Sequence, residues 1–472
     1  MIYIYNTLTR RKEKFIPIEK NKIKIYVCGL TAYDKCHIGH ARMFVWFDTI
    51  VRYLRALKYE VIYVRNITDI DDKIINKAND LNIPYSQLTN RIINSMHEEE
   101  RKLNIIPPTF EPRVTEHIQE IISMIQILID KGYAYITDDN DVYYRIEKFK
   151  KYGELAHKNI ECLSIKTRID FNIKKNNLLD FVLWKSAKDN EPFWSSPWGN
   201  GRPGWHIECS AMAQKYLGAY FDIHGGGSDL QFPHHQNEIA QSEAANGCTL
   251  SNIWMHVGLI KNNHSKMSKS IGNFYSLNEI LKMYHPEVLR LFMLSSHYRS
   301  SINFSQEILG KMDAALRRLY ISLYNLSVLP DLNYDDDYHD EIFYKNFHSA
   351  MNDDFNTPKA ISILFTIIRK ANKYLNINLP MAKYWGRLAK YLANTLGLLL
   401  DNPHNFVPYN SAKDQDALIQ DLIIQRNLKR KENNWEAADA IRESLNKMGI
   451  NIKDNSDGTT NWYIDIKQYT KK

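Results

Sequence analysis

Cysteine is scarce in this chain, and long apolar runs are missing altogether. Five cysteines in 472 residues, an odd number without framework spacing, argue against a disulfide scaffold and for reduced thiols. No stretch approaches the roughly 18 consecutive apolar residues of a membrane-spanning helix, and Met1 to Phe15 has no apolar signal-peptide core. No membrane association is therefore expected, and the location expected is the cytoplasm. Internal repeats and low-complexity segments are also missing, which excludes solenoids; the only bias is toward Asn, Ile and Lys. Nor does one sign of charge dominate. The 61 Lys and Arg against 54 Asp and Glu leave +7, which suits a polyanionic partner without requiring one. Basic clusters at Arg10-Arg11-Lys12 and Lys429-Arg430-Lys431 contrast with Asp335-Asp336-Asp337, which would repel phosphate. Such runs are more often solvated faces than contacts.

What is present is length enough for several cores, since single cores rarely exceed about 250–300 residues. Strand-like runs at Ile23 to Cys28 and Glu60 to Val64 alternate with amphipathic helices, the pattern of a doubly wound parallel sheet. Polar, irregular sequence from Thr137 to Lys185 breaks that rhythm and reads as an insertion. The sheet resumes near Gly204, with strands at Phe221 to His224 and Asn252 to Val257. Beyond Ser305 the periodicity turns helical. Ile308, Met312, Ala315, Leu316 and Leu319 form one stripe, and Trp385, Leu388, Leu392, Leu396 and Leu399 another; both read as bundle core. Thr357 and Pro358 start a helix that runs to about Leu375. After Pro403 and Pro408 come a helix through Arg426 to Lys431, another from Trp435 to Lys447 ended by Gly449, and a turn at Asp457-Gly458. The expected fold is a Rossmann-like α/β domain in two halves, 1–120 and 204–260, with an insertion at 121–203. A connecting region at 261–304, an α-helical bundle at 305–402 and a small α+β domain at 403–472 complete it.

Two short strings carry chemistry. Cys36-His37-Ile38-Gly39-His40 follows the first strand and precedes a helix expected from Ala41 to Leu57, with apolar Phe44, Val45, Phe47, Ile50, Val51 and Leu54 at helical spacing. Strand, loop and helix amino end make a nucleotide-binding layout, because unpaired N–H groups at that end stabilise phosphate. His37 and His40 add donors there, and Gly39 permits close approach to the backbone. Lys266-Met267-Ser268-Lys269-Ser270 is a doubly basic loop with hydroxyls, suited to a polyanionic leaving group. Either string alone is more often incidental; together, in this order and context, they point to activation of a carboxylate by ATP. Gly225-Gly226-Gly227 after a strand would let ATP approach the backbone at Gly227, and Asp229 could accept from ribose hydroxyls.

Metal-ligand types also cluster. His234 and Glu238 lie four apart, so on a helix both face one side. Cys28, ending the first strand, and Cys209, early in a helix after Gly204-Trp205, would complete a four-ligand set if the sheet joins them. Spacing leaves Cys36, His206, Glu208, His224, His235 and Cys248 open as alternatives.

The two strings resemble the signature pair of class I aminoacyl-tRNA synthetases. Tyr26-Val27-Cys28-Gly29, the run Asn66 to Lys73, Gly204-Trp205-His206-Ile207-Glu208-Cys209-Ser210, Phe221 to Leu230, and Phe232 to Glu238 narrow the likeness to the cysteinyl-tRNA synthetase family, over nearly the whole chain. The resemblance implies that Cys28, Cys209, His234 and Glu238 hold one Zn²⁺ per subunit, and that Thr68, Trp205 and His224 lie near the amino acid. It implies His37, His40, Lys266 and Lys269 as catalytic groups, with Gly39, Gly227, Asp229 and Ser268 also at the Mg²⁺-bound ATP. Its partners would be L-cysteine, ATP and the tRNA for cysteine, the protein acting as a monomer. Anticodon recognition would fall to the bundle and terminal domain, where Arg426, Trp435, Asp439 and Arg442 are candidates. A zinc would have a purpose, since shape separates near-isosteres such as cysteine and serine by only about 10²-fold. A soft metal that binds thiolate in preference to hydroxyl supplies the remainder. A cysteine ligase acting on an amino sugar would share the metal and ATP residues but not the long tail.

Overall fold

The computed structural model describes residues 1–158, 175–189, 191–262, 265–266, 276–326, 338, 341–406, 412–454 and 459–464. Its chain forms two compact units. The first comprises Met1–Met283, Ser296–Phe304 and Met351–Asn356, and the second Tyr284–Ser295, Ser305–Ala350 and Thr357–Lys472.

The first unit is organised by four parallel strands: Lys22–Thr31 (β1), Glu60–Thr68 (β2), Phe221–Gly227 (β3) and Ser251–Val257 (β4), in the order β4-β3-β1-β2. From Ile25 to Cys28 β1 is buried on both faces, which is why its sequence becomes a continuous apolar run where a half-exposed strand would alternate. Helix Ile38–Ala56 (α1) carries the chain from β1 to β2 and buries Phe44, Val45, Phe47, Ile50, Val51 and Leu54. Helix Trp205–Leu217 (α2) leads into β3, and helix Gln236–Asn246 (α3) joins β3 to β4. The α1 crossover steps outward to β2 and the α3 crossover steps outward to β4. The strand order therefore reverses between β1 and β3, at a topological switch point where ligands bind beyond the strands' carboxyl ends. Tyr26 sits opposite His224 and Val27 opposite Gly225 across that boundary. A Cβ at Gly225 would lie 2.2 Å from Phe47 Cζ, so glycine there lets α1 pack tightly on the sheet.

The insertion is more regular than its sequence suggests. Ala134–Ile136, Val142–Tyr144, Phe181–Ser186 and Gly201–Pro203 form an antiparallel four-stranded sheet. Strands of three to six residues show too few alternations to be read from sequence.

The second unit is helical with one hairpin. Leu316 and Leu319 of Gln306–Asn325, and Leu388 and Leu392 of Leu379–Asn394, are buried, so the two stripes are core. Helix Thr357–Tyr374 begins at the expected Thr357. Helices Ala412–Lys431 and Trp435–Lys447 precede an antiparallel pair, Ile450–Asp454 with Thr460–Ile464, and Ile419, Ile423, Leu445, Ile450 and Ile464 share a core with Ile321. The Asp457-Gly458 turn lies outside the described residues. Among the described residues no helix is long and apolar enough to cross a membrane.

Candidate active site and metal centre

The amino end of α1 is capped by a histidine. His37 Nδ1 accepts from the amides of Gly39 at 3.0 Å and His40 at 3.3 Å, while His40 Nδ1 accepts from the His37 amide at 3.3 Å. Both rings are neutral acceptors at Nδ1, which places their hydrogens on Nε2. They stack 3.7 Å apart, and a Cβ at residue 39 would come within 2.8 Å of the His37 ring. Gly39 is thus required by the cap itself. Burial and the neighbouring His37 hold the His40 imidazole down, at about 3, so it acts as a neutral donor near neutral pH.

Behind the switch point lie four buried ligand-type side chains. Cys28, Cys209, His234 and Glu238 bring one donor atom each within 4.8 Å of all the others, and none is more than 3% exposed. Cys28 Sγ is 3.7 Å from Cys209 Sγ, and His234 Nε2 lies 3.5 Å from Cys209 Sγ and 3.2 Å from Glu238 Oε1. A tetrahedron with Zn–S bonds of about 2.3 Å and Zn–N of about 2.0 Å has edges of about 3.8 Å and 3.5 Å, so the donors fit a single zinc-sized cation. His234 comes from a π-helical turn, Gln231–His235, and Glu238 from the first turn of α3; the i,i+4 pairing holds although the helix proper begins after His234. The remaining polar atoms of the cluster are engaged. His234 Nδ1 is 2.8 Å from His206 Nδ1, and Glu238 Oε2 is 2.8 Å from His224 Nε2. Burial raises the Glu238 carboxyl, but His224 and His234 outweigh it and leave the group below its ordinary value. Burial raises both thiols. A buried carboxylate beside two thiols is a donor set that calls for a cation.

A cleft of about 310 Å³ opens at the carboxyl ends of β1 and β3. Gly29, Thr31, Tyr33, His37, Gly39 and His40 line one part, and Gly227, Asp229 and Val257 to Ile260 another; Lys73 and Trp205 also line it. Trp205 joins the cleft to this four-donor cluster, its ring 4.3 Å from that of His234.

Comparison with known proteins gives this site a family. Residues 14–314 match the family model of the tRNA synthetases class I (C) catalytic domain, and residues 346–401 match the DALR domain. A cysteine–tRNA ligase of Legionella pneumophila (strain Paris) is 50% identical over 98% of this chain and 99% of its own length. That of Methylococcus capsulatus (strain ATCC 33009 / NCIMB 11132 / Bath) is 50% identical over 98% of this chain and 99% of its own length. The chain belongs to the cysteine–tRNA ligase family. A solved methionyl-tRNA synthetase of Mycobacterium tuberculosis, in complex with methionyl-adenylate, shares the fold at 16% identity, with a TM-score of 0.56 over 79% of this chain and 89% of that one.

Of the residues that sequence singles out in this cysteine–tRNA ligase relative, the structure brings His37, Gly39, His40, Trp205, Gly227 and Asp229 onto one cleft. Thr68 and His224 lie behind its wall. Thr68 donates to Glu208 Oε2 at 2.9 Å, and His224 is fully buried against Glu238. In the glycine run only Gly227 reaches the cleft, because Gly226 faces the His235 ring and Gly225 faces Phe47. Met267, Ser268, Lys269 and Ser270 lie outside the described residues, as does the side chain of Lys266. Their flanks are described: Lys266 pairs with Lys261 next to Ile260 of the cleft, and the Leu277 amide donates to the Cys36 carbonyl at 3.1 Å. Of the alternative ligands, His206 supports His234, His235 Nδ1 lies 2.8 Å from His256 Nε2, Cys36 is buried elsewhere and Cys248 is exposed. Sequence reasoning missed Tyr33 and Lys73, whose place on the cleft depends on the paths taken after β1 and β2.

Proposed function

We infer that the protein joins L-cysteine to the 3′ end of its tRNA in two ATP-driven steps, and that a Zn²⁺ ion held by Cys28, Cys209, His234 and Glu238 selects the substrate. The observation that carries this is the four-donor centre opening through Trp205 onto a nucleotide-type cleft. When bound, the ion supplies a soft Lewis acid with a strong preference for thiolate over hydroxyl. The chain's own residues do the rest. The α1 amino end and the Nε2–H groups of His37 and His40 stabilise charge on the phosphates, with Mg²⁺ accompanying ATP. Gly227 allows close approach and Asp229 accepts from ribose hydroxyls. Lys266, Ser268 and Lys269 supply further donors to the departing pyrophosphate. Thr68 and His224 fix the pocket from behind, the first through Glu208 and the second through Glu238. The tRNA ribose hydroxyl then takes the cysteinyl group, and the second unit, with its DALR match, serves the tRNA. The amino-sugar alternative has no support, because the likeness to cysteine–tRNA ligases extends over 98% of the chain.

The deciding experiment is amino-acid-dependent exchange of pyrophosphate into ATP. Cysteine should drive exchange at least 10⁴-fold better than serine, beyond the roughly 10² that shape provides, and a zinc chelator should abolish it. Equal exchange with the two amino acids, or full exchange after metal removal, would refute the reading.

A further inference from the structure

We propose that Lys73 is a further catalytic residue, its ammonium binding the anionic centre where the substrate carboxylate meets the α-phosphate of ATP. The proposal rests on the reaction inferred above. That reaction brings a carboxylate against a triphosphate: a carboxylate oxygen bonds to the α-phosphorus, the bond to the bridging oxygen breaks, and pyrophosphate leaves with the electron pair. Two anions must approach in a cleft, and a fixed positive charge between them lowers the barrier. Among the described residues that line the cleft, Lys73 is the only lysine or arginine; His40 is held neutral and Asp229 is acidic.

The local structure explains why this ammonium is available. Lys73 lies in the first turn of helix Asp72–Asp80, and both neighbouring carboxylates are committed elsewhere. Asp71 caps the helix by accepting from the Lys73 amide at 2.8 Å. Asp72 is held by Lys185 and by the buried Arg202, which is itself paired with Glu191. Among the described residues no carboxylate lies within ion-pair distance of the Lys73 ammonium, which is poised 5.5 Å from the centre of the Tyr33 ring. Tyr33 follows β1 and Lys73 follows β2, strands joined at the register pair Thr31 and Thr68. The pair therefore sits beyond the strand ends on the side of the cleft away from Gly227 and Asp229. An amino acid whose side chain reaches the metal centre past Trp205 and whose carboxylate points toward α1 meets Lys73 in that space.

Lys73→Met tests this, because methionine keeps an unbranched stem over Tyr33 and removes only the charge. The single-turnover rate of cysteinyl-adenylate formation should fall by about 10²-fold, as for loss of one oxyanion donor. The midpoint of thermal unfolding and the rate of transfer from preformed adenylate to tRNA should stay at wild-type values. Lys73→Arg should restore at least a tenth of the adenylation rate. Adenylation at wild-type rate in Lys73→Met, or an equal loss in Lys73→Arg, overturns the assignment. A wild-type protein without cysteine-dependent exchange would instead overturn the proposed function.

Discussion

At the scale of one residue, the chemistry of His234 turns on which ring nitrogen faces inward. Its Nδ1 meets His206 Nδ1, so one ring must donate and the other accept. If His234 donates, its Nε2 lone pair faces Cys209 and Glu238, the form in which imidazole binds a metal. His206→Phe keeps a ring beside Trp205 and removes that acceptor. Metal affinity, measured by competition with a chelator, is expected to fall 10–100-fold, and an unchanged affinity would release His206 from this role. Cys209→Ser should raise the KM for cysteine far more than that for ATP in the exchange assay, because under the proposed function Cys209 serves only the sulfur side. The His234 and Glu238 pair was legible from spacing alone. Cys28 and Cys209 were not, since 181 residues separate them and only the strand order of the sheet brings them together. Lys73 was less legible still. Its significance lies in its neighbours, whose carboxylates are already engaged.

At the scale of an element, α1 shows how a helix cap and the side chains lining a cleft become one structure. The helix begins at Ile38, earlier than periodicity suggests, because a histidine does the capping usually left to Ser, Thr, Asp or Asn. Sequence reading explains Gly39 by ligand approach; the structure adds that any Cβ there meets the His37 ring. Gly39→Ala should therefore displace the ring, cost about 1 kcal/mol of stability as a lost cap does, and slow cysteine-dependent exchange. Thermal unfolding and exchange measured on the same sample check both halves; unimpaired exchange would separate the cap from catalysis. The helix Ala412–Lys431 and the strand Ile450–Asp454 offer a second case. Asp454 accepts from Arg426 at 2.8 and 2.9 Å, and Arg430 adds a third contact. The Arg426 hydrogen bond is the main cause that holds the Asp454 carboxyl far below its ordinary value in the folded chain. Its contribution is full above the ordinary aspartate value of about 4 and fades as pH falls below it. Asp454→Asn should lower the unfolding midpoint at pH 7 and flatten its fall between about pH 5 and 2; an unchanged acid limb would show that other carboxyls set it.

At the scale of the whole molecule, every described residue of the cleft and the Cys28, Cys209, His234 and Glu238 cluster belongs to the first unit, while the terminal helices and hairpin belong to the second. Activation of cysteine and reading of the tRNA should therefore be separable by mutation. Arg426, Trp435, Asp439 and Arg442 were equal candidates for RNA contact in sequence, where helix packing explained them as well. The structure divides them. Arg426 is 4% exposed and spent on Asp454, whereas Trp435 is 57% exposed, and Asp439 and Arg442 follow it at helical spacing on the solvent side. An exposed indole suits stacking of an unpaired base, which is worth about 1–3 kcal/mol. Trp435→Ala is expected to leave cysteine-dependent exchange and thermal unfolding unchanged while raising the KM for tRNA in the full aminoacylation by at least fivefold. Arg426→Ala should instead lower the unfolding midpoint, because it strands a partly buried carboxylate. If Trp435→Ala left the KM for tRNA untouched, the solvent face of that helix would have no part in holding the RNA, and the search for the contact would move to the DALR segment at residues 346–401.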